Sequence, residues 1–294
     1  MKILLNLTGI LLVLAIMYLI SWKKKNISVK MLVKAVIAQF LIAVILVKVP
    51  AGRYVVSRVS DAVTSVINCG QDGLSFVFGS LADSTAATGS VFAIQVLGNI
   101  VFLSALVSFL YYIGILGFVV KWIGKAVGKL MGTSEVESFV AVANMFLGQT
   151  DSPMPVAMVA LVAAVNKLLG VCGISLQQVF SYVFAPFGFF LGLDPSEILL
   201  EGNLLGSKLV LNEFVAFQQL GSMISSMDYR TGMICAISLC GFANFSSLGI
   251  CVSGIAVLCP EKKSTLARLV FKAMLGGVAV SLISAMVVGL VTLF

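Results

Sequence analysis

The sequence contains no histidine, and charged residues make up only 11% of its 294 positions. The absence of histidine excludes Ser-His-Asp and Cys-His catalysis, histidine-ligated zinc and proton relays through imidazole. Soluble domains carry roughly 25% charged residues, whereas this chain is 60% hydrophobic and has a mean hydropathy of +1.12. Lipid rather than water is therefore expected to solvate most of its surface.

Cysteine and basic residues are present, but their placement favours neither a metal site nor nucleic acid. None of the six cysteines belongs to a C-x-x-C pair, and we interpret them as small packing residues. The net charge of +7 comes largely from lysines at the ends of apolar runs, as is typical of membrane topology signals. Neither a nucleic-acid partner nor a metal cofactor is expected.

Apolar runs long enough to cross a bilayer recur along the chain, and we count roughly six crossings. A mixed stretch at 50–87 predicts an interfacial helix followed by a polar loop, and residues 121–132 predict a second interfacial helix. The runs predicted to cross are residues 3–22, 31–49, 91–120, 175–193 (kinked at Pro186), 231–258 and 268–294. The predicted fold is an all-α, polytopic membrane protein.

The distribution of lysine and arginine predicts the orientation of the chain. Twelve lie in the connections predicted for one side of the membrane and four on the other. The positive-inside rule assigns the larger group to the cytoplasm and the N-terminus to the outside of the cell membrane. The larger group is Lys23, Lys24, Lys25, Lys30, Lys34, Lys121, Lys125, Lys129, Lys262, Lys263, Arg268 and Lys272.

Two segments are too short or too polar to be ordinary crossings. Ser134 and Glu137 have the spacing of a capping box, which starts a helix of about 14 residues. A polar tip at 148–153 (GQTDSP) follows, and a new helix is predicted from Met154. This order of short helix, polar tip and helix indicates a re-entrant hairpin, whose backbone must be covered by protein or line a cavity.

The second hairpin begins at Asp194, a predicted N-cap followed by Pro195 at the first helical position. Its helix leads to residues 208–216 (KLVLNEFVA), where Glu213 lies among apolar side chains. A carboxylate there is costly in lipid, which favours a buried acid lining a polar cavity. An ion pair with Lys208 and an exposed interfacial charge are the alternatives.

The run 231–258 carries polar residues and glycines at its middle, in residues 241–249 (GFANFSSLG). Asn244 and Ser247 are three positions apart and are expected to share a helix face, while Gly241 and Gly249 allow the backbone to loosen. Hydrogen bonding to a neighbouring helix is the alternative role for such side chains. Two hairpins and a broken span predict a transporter with its site near the midplane. The carboxylates, amides, hydroxyls and phenylalanines suit a neutral, hydroxyl-rich solute that carries a flat ring.

At these residues the sequence resembles the concentrative nucleoside transporter family. Residues 148–153 are similar to its G-Q-T/S-E-x-P hairpin tip, 208–216 to its K-x-x-x-N-E-F-V-A motif and 242–247 to its F-A-N-x-S-S motif. The resemblance implies a homotrimer that imports nucleosides with a sodium or proton gradient. It also implies a division into scaffold spans at 1–132 and a transport region at 133–294.

The resemblance further implies roles for individual residues. Gln149, Thr150 and Asp151 would face the nucleobase, and Phe242 would pack beside the solute. The residues implied for the ribose hydroxyls are Glu213, Asn244 and Ser247. The positions of a partial sodium site would be Asn144 and Leu147. The hydroxyls of Ser246 and Ser247 and the amine of Lys208 could be arranged as a Ser-Lys dyad, but nothing in the spacing demands it, so no enzyme is expected.

The chain departs from the family pattern in two respects. Asp151 stands where the family usually has Glu. The block that follows the first hairpin tip in the family, including two full spans, is missing, since about 20 residues separate the tip from the next span. The alternative function is therefore a transport-impaired deletion form that binds nucleoside or only assembles in the membrane.

Overall fold

A computed structural model describes residues 1–83, 86, 91–147 and 163–294 of the chain. At some helical positions, Asn144 and Leu147 among them, the description is limited to the backbone. Every regular element in the described residues is a helix, which confirms the predicted all-α fold.

The chain divides into two compact units. The larger unit comprises Met1–Val29, Val36–Val47 and the described part of Asp151–Phe294. The smaller unit comprises Lys30–Ala35 and the described part of Lys48–Thr150. The predicted division at residue 132 separates scaffold spans from a transport region, whereas the two units are defined by packing. This division therefore stays a prediction.

The smaller unit contains α3 (Pro50–Phe78), α4 (Phe92–Tyr112), α5 (Ile115–Met131) and α6 (Glu135–Leu147). α3 is the helix expected at an interface, and its second half packs on α4, where Gly70 approaches Phe102. Gln71 Nε2 donates to Ala82 O at 2.6 Å, and Asn99 Nδ2 donates to Gln71 Oε1 at 3.4 Å.

The third predicted span, residues 91–120, is wrong as a single helix. α4 ends at Tyr112 and α5 starts after Gly114, whose φ of +84° favours glycine. The segments Val101–Tyr112 and Ile115–Met131 are bent by 79° relative to each other. Hydropathy stays high across this bend, so the sequence pattern gives no sign of it.

The predicted capping box at Ser134 and Glu137 is confirmed at the start of α6. Glu137 N donates to Ser134 Oγ at 3.2 Å, and Ser134 N donates to Glu137 Oε2 at 3.0 Å. Hydrogen bonds from Ser134 hold the pKa of Glu137 below its ordinary value. The hairpin tip at 148–153 and the helix predicted from Met154 lie outside the described residues.

The larger unit is built around α13, the last long helix. Its buried residues Leu282, Ala285 and Met286 belong to a core to which α1, α9 and α11 also contribute. Asn6 of α1 is fully buried, and with its amide oriented to satisfy its neighbours it donates to Leu191 O and accepts from Leu290 N. The helices of this unit are α1 (Lys2–Ile20), most of α2 (Val29–Val47), α7 (residues 163–170), α8 (Leu176–Phe190), α9 (Pro195–Val210), α10 (Glu213–Met223), α11 (Tyr229–Leu239), α12 (Phe245–Leu258) and α13 (Lys263–Val291).

Within the described ranges, three helical segments are long and apolar enough to cross a membrane: α1, α2 and Pro260–Val291. Counting each bent pair as one span raises the number to five, the second pair being α8 and α9 with an angle of 119°. The predicted break of the run 231–258 is confirmed, because α11 and α12 are separated by residues 240–244. The architecture is that of a multi-pass membrane protein.

Asp194 occupies the predicted N-cap position of α9, with Pro195 beginning the helix, but its side chain makes no capping hydrogen bond. Asp194 Oδ1 instead lies 2.9 Å from Lys2 Nζ in an ion pair. Both side chains are solvent-accessible in the structure, so this contact contributes little to stability. The capping role expected for this side chain is therefore corrected.

α8 and α9 approach closely because glycines line their contact. A Cβ atom on Gly206 would lie 2.2 Å from Phe180 Cβ, and one on Gly202 would lie 2.4 Å from Ser181 O. Neither distance is compatible with van der Waals contact, so larger residues would push the helices apart. Small residues at helix contacts are the common solution where lipid supplies no hydrophobic drive for association.

We predict that Gly206→Ala destabilises the larger unit, because overpacking a tight contact costs roughly 1–3 kcal/mol. Gly221→Ala on α10 is the matched control, since nothing in the described structure lies within 4 Å of a Cβ at that position. Thermal unfolding in detergent should give a lower Tm for the first variant and an equal or higher Tm for the control. Equal Tm values for the two variants would contradict the close packing of α8 on α9.

Candidate functional site

Two helix breaks of the larger unit meet in space. The first lies between α9 and α10 at residues 211–212, and the second lies between α11 and α12 at residues 240–244. Ser246 Oγ, at the start of α12, donates to Leu211 O at 2.7 Å and so joins the two breaks. Ser246 is buried, and this bond satisfies a carbonyl group that no longer belongs to a helix.

Asparagine restarts the helix after each break. Asn212 Oδ1 accepts from Val215 N at 2.9 Å, and Asn244 Oδ1 accepts from Ser247 N at 2.8 Å. Both asparagines have extended backbones and serve as N-caps of α10 and α12. Gly241 has a φ of +95°, which agrees with the expected loosening of the backbone there, whereas Gly249 lies inside α12 and does not interrupt it. Asn244 therefore precedes α12 and does not share a helix face with Ser247, which corrects that expectation.

A series of hydrogen bonds connects Ser247, Asn244 and Glu213. Ser247 Oγ donates to Asn244 Oδ1 at 2.7 Å, and Asn244 Nδ2 donates to Glu213 Oε2 at 2.7 Å. Because Asn244 Oδ1 is engaged by Ser247, its amide group can present only N–H donors to Glu213. Asn244 and Ser247 are buried, whereas Glu213 is half-buried. Of the three, Glu213 is the polar group most accessible to a solute.

Lys208 provides a buried positive charge behind the two breaks. Its side chain is 1% exposed, and Nζ donates to Ser238 O at 2.8 Å, Cys240 O at 3.0 Å and Ser281 Oγ at 3.0 Å. The two carbonyls belong to the C-terminal end of α11, where the helix dipole attracts a cation. Among the described residues Lys208 forms no ion pair, so the alternative of a Lys208–Glu213 pair is not what the structure contains.

The structure brings together only part of the residue set implied by the resemblance. Glu213, Asn244 and Ser247 are in contact, and Phe242 lies in the second break with 39% of its surface exposed. Gln149, Thr150 and Asp151 lie outside the described residues, as do the side chains of Asn144 and Leu147.

Sequence reasoning missed the two serines that surround the Lys208 ammonium. Ser238 and Ser281 lie 30 and 73 positions along the chain from Lys208, so no local pattern joins them. The available signal was Lys208 itself, because a lysine in an otherwise apolar segment needs oxygen acceptors from elsewhere in the fold.

The start of α11 is fixed by Asp228, whose side chain accepts from Arg230 N at 2.8 Å and Thr231 N at 3.3 Å. The Thr231 hydroxyl, 2.7 Å from Asp228 Oδ2, is the main group that holds the pKa of Asp228 below its ordinary value. This cap anchors the helix that ends at the second break.

Comparisons with known proteins agree with this architecture. The family model described as "Na+ dependent nucleoside transporter N-terminus" matches residues 8–81, and the one described as "Na+ dependent nucleoside transporter C-terminus" matches residues 152–289. A solved structure of a CNTnw double variant in an outward-facing state has 25% identity and a TM-score of 0.90, covering 99% of each chain.

Full-length relatives also match. The chain is 30% identical to "Uncharacterized transporter YutK" of Bacillus subtilis, covering 99% of this chain and all of the relative. It is 26% identical to "Nucleoside permease NupC" of Helicobacter pylori, covering 94% and 96%. The YutK match runs over 407 residues, more than the 294 of this chain, although both ends align. The relative therefore has internal residues that this chain lacks.

The two family models, the end-to-end match to a 30% identical relative and the shared fold lead to one assignment. The chain belongs to the concentrative nucleoside transporter family.

Proposed function

We propose that the chain imports nucleosides across the cell membrane and couples this import to a cation gradient. The observation that carries the proposal is the series Ser247, Asn244 and Glu213 at the junction of two helix breaks. A nucleoside offers ribose hydroxyls that both donate and accept hydrogen bonds, and a carboxylate with oriented amide and hydroxyl neighbours is suited to bind them.

The rest of the proposed binding set comes from a flat side chain and from the first hairpin. Phe242, exposed in the second break, would pack beside the solute. By resemblance we add Gln149, Thr150 and Asp151 as partners of the nucleobase. Asn144 and Leu147 are proposed as part of a sodium site, with a proton as the other candidate coupling ion.

The proposed assembly is a homotrimer in which each protomer carries its own site, with the N-terminus outside the cell. The orientation is supported by the excess of lysine and arginine in the connections assigned to the cytoplasm. The trimer is proposed from the family resemblance.

A form that binds nucleoside without transporting it is the second candidate. The observation that favours it is the missing internal block, since relatives match over more residues than this chain contains. Half of a coupling site would still allow a nucleoside to bind, but it would not link binding to ion movement.

Uptake of radiolabelled uridine and adenosine into proteoliposomes tests the proposal. We expect uptake that increases when an inward sodium or proton gradient is imposed, because the solute then moves with a driving force. The control is the same vesicle preparation without the protein. Nucleoside binding without uptake would instead establish the second candidate. The absence of both binding and uptake would overturn both candidates.

Glu213→Gln should reduce nucleoside uptake by about 10- to 100-fold, since a hydrogen bond to a charged group contributes about 1.5–3 kcal/mol. The exposed Glu261→Gln is the matched control, because it removes the same charge away from the helix breaks. Initial uptake rates at equal protein density provide the measurement. Wild-type rates in Glu213→Gln would show that this carboxylate does not bind the solute.

A pair of asparagine variants separates helix capping from solute binding. Asn212→Ala and Asn244→Ala each remove one N-cap, so each should lower stability by about 1 kcal/mol. Only Asn244→Ala also removes the donor to Glu213, so only this variant should lose most nucleoside binding. Tm and equilibrium binding are measured on both proteins. Equal loss of binding in the two variants would mean that Asn244 acts through the fold alone.

A further inference from the structure

The described structure contains a second buried carboxyl group, on Glu201 of α9, that no part of the proposed solute site uses. Its side chain is fully buried and faces Ser238 of α11, which is fully buried as well. Glu201 Oε1 lies 2.5 Å from Ser238 Oγ. Ser238 Oγ also lies 2.8 Å from Cys235 O.

The number of available hydrogens favours one state of this group. Both distances are those of hydrogen bonds, and a single hydroxyl hydrogen could only be shared between the two acceptors, whereas two full hydrogen bonds need two hydrogens. The Ser238 hydroxyl supplies one hydrogen, and the Cys235 carbonyl supplies none. When Ser238 donates to Cys235 O, the hydrogen between Ser238 Oγ and Glu201 Oε1 belongs to Glu201. A neutral carboxylic acid therefore satisfies both contacts.

Charge and burial favour the same state. Glu201 Oε2 has no hydrogen-bond partner of good geometry in the described part of the chain. The neighbouring Cys235 thiol is only a weak donor. A carboxylate with a single strong donor and no access to water is unfavourable, whereas the neutral acid is not. The nearby cation, Lys208, makes its hydrogen bonds to neutral oxygens rather than to Glu201.

We propose that Glu201 is a proton-binding site, occupied in the conformation described here, and that release of its proton is linked to movement of α9 on α11. On release the proton passes to water and leaves a carboxylate. Ser238 contacts Glu201 through its hydroxyl and Lys208 through its carbonyl. The side chains of Glu201 and Lys208 therefore both act on the last turn of α11. That turn ends at the break that leads to Asn244.

The titratable groups around Glu201 come from the elements packed on α9. Cys235 on α11 and Lys208 on α9 itself act on Glu201 directly. Glu197 on α9 acts on Cys235, while Glu213 at the start of α10 and Cys240 after α11 act on Lys208. α8 presents Phe180 and Ser181 to the glycines of α9, and neither residue titrates. A new negative charge on Glu201 would draw the Lys208 ammonium away from its oxygens at the end of α11.

Infrared spectroscopy of the full chain in lipid tests protonation directly, without any need for transport. The C=O stretch of a buried carboxylic acid should be present at neutral pH, absent from Glu201→Gln and retained in the exposed control Glu261→Gln. Ser238→Ala should shift this band, because it removes the hydrogen-bond partner of the acid, and it provides a second variant if Glu201→Gln folds poorly. A spectrum in which neither variant changes the band would overturn the proposal.

The link to movement rests on the proposed transport and has its own test. We expect the rate of nucleoside uptake to vary with pH in the wild type and to lose most of this variation in Glu201→Gln, whose amide cannot release a proton. An unchanged pH profile in Glu201→Gln would overturn the link. Absence of uptake in the wild type would refute the proposed function, while the infrared band would still decide whether Glu201 binds a proton.

Discussion

A helix that is interrupted inside a membrane leaves amide and carbonyl groups without partners, and the larger unit depends on how these groups are satisfied. At the N-terminal ends Asn212 and Asn244 cap the helices that restart. At the C-terminal end of α11 the Lys208 ammonium binds the carbonyls of Ser238 and Cys240. The same polar groups that make the breaks tolerable in lipid also form the candidate site.

The sequence predicts the breaks because their causes are local. Asparagine three residues before an amide donor, glycine in a left-handed conformation and proline at a first helical position all act within a few residues. The capping box at Ser134 and the break at residues 240–244 were therefore predictable. The bend at Gly114 was not, because glycine is common in membrane helices and hydropathy stays high on both sides of it.

Contacts between distant residues were beyond the sequence pattern. The polar partners of Lys208 come from α11 and α13, and their identity depends on how three helices pack. The sequence favoured a buried acid at Glu213 over an ion pair with Lys208, and Lys208 forms no ion pair among the described residues. Asp194 shows the reverse case, because its position was predicted correctly but tertiary contact with Lys2 replaced the local cap.

The separation of the two charges has a consequence for the proposed solute site. A lysine bonded directly to Glu213 would occupy the carboxylate oxygens that a ribose hydroxyl needs, and the pair would have to be broken before the solute could bind. Lys208 is instead held by neutral oxygens, while Asn244 orients Glu213 with neutral donors. The cation stabilises the broken backbone, and it does not occupy the Glu213 carboxylate oxygens that are proposed to bind the solute. This division of roles requires both helix breaks, since one break supplies Glu213 and the other supplies Asn244 and the carbonyl of Cys240.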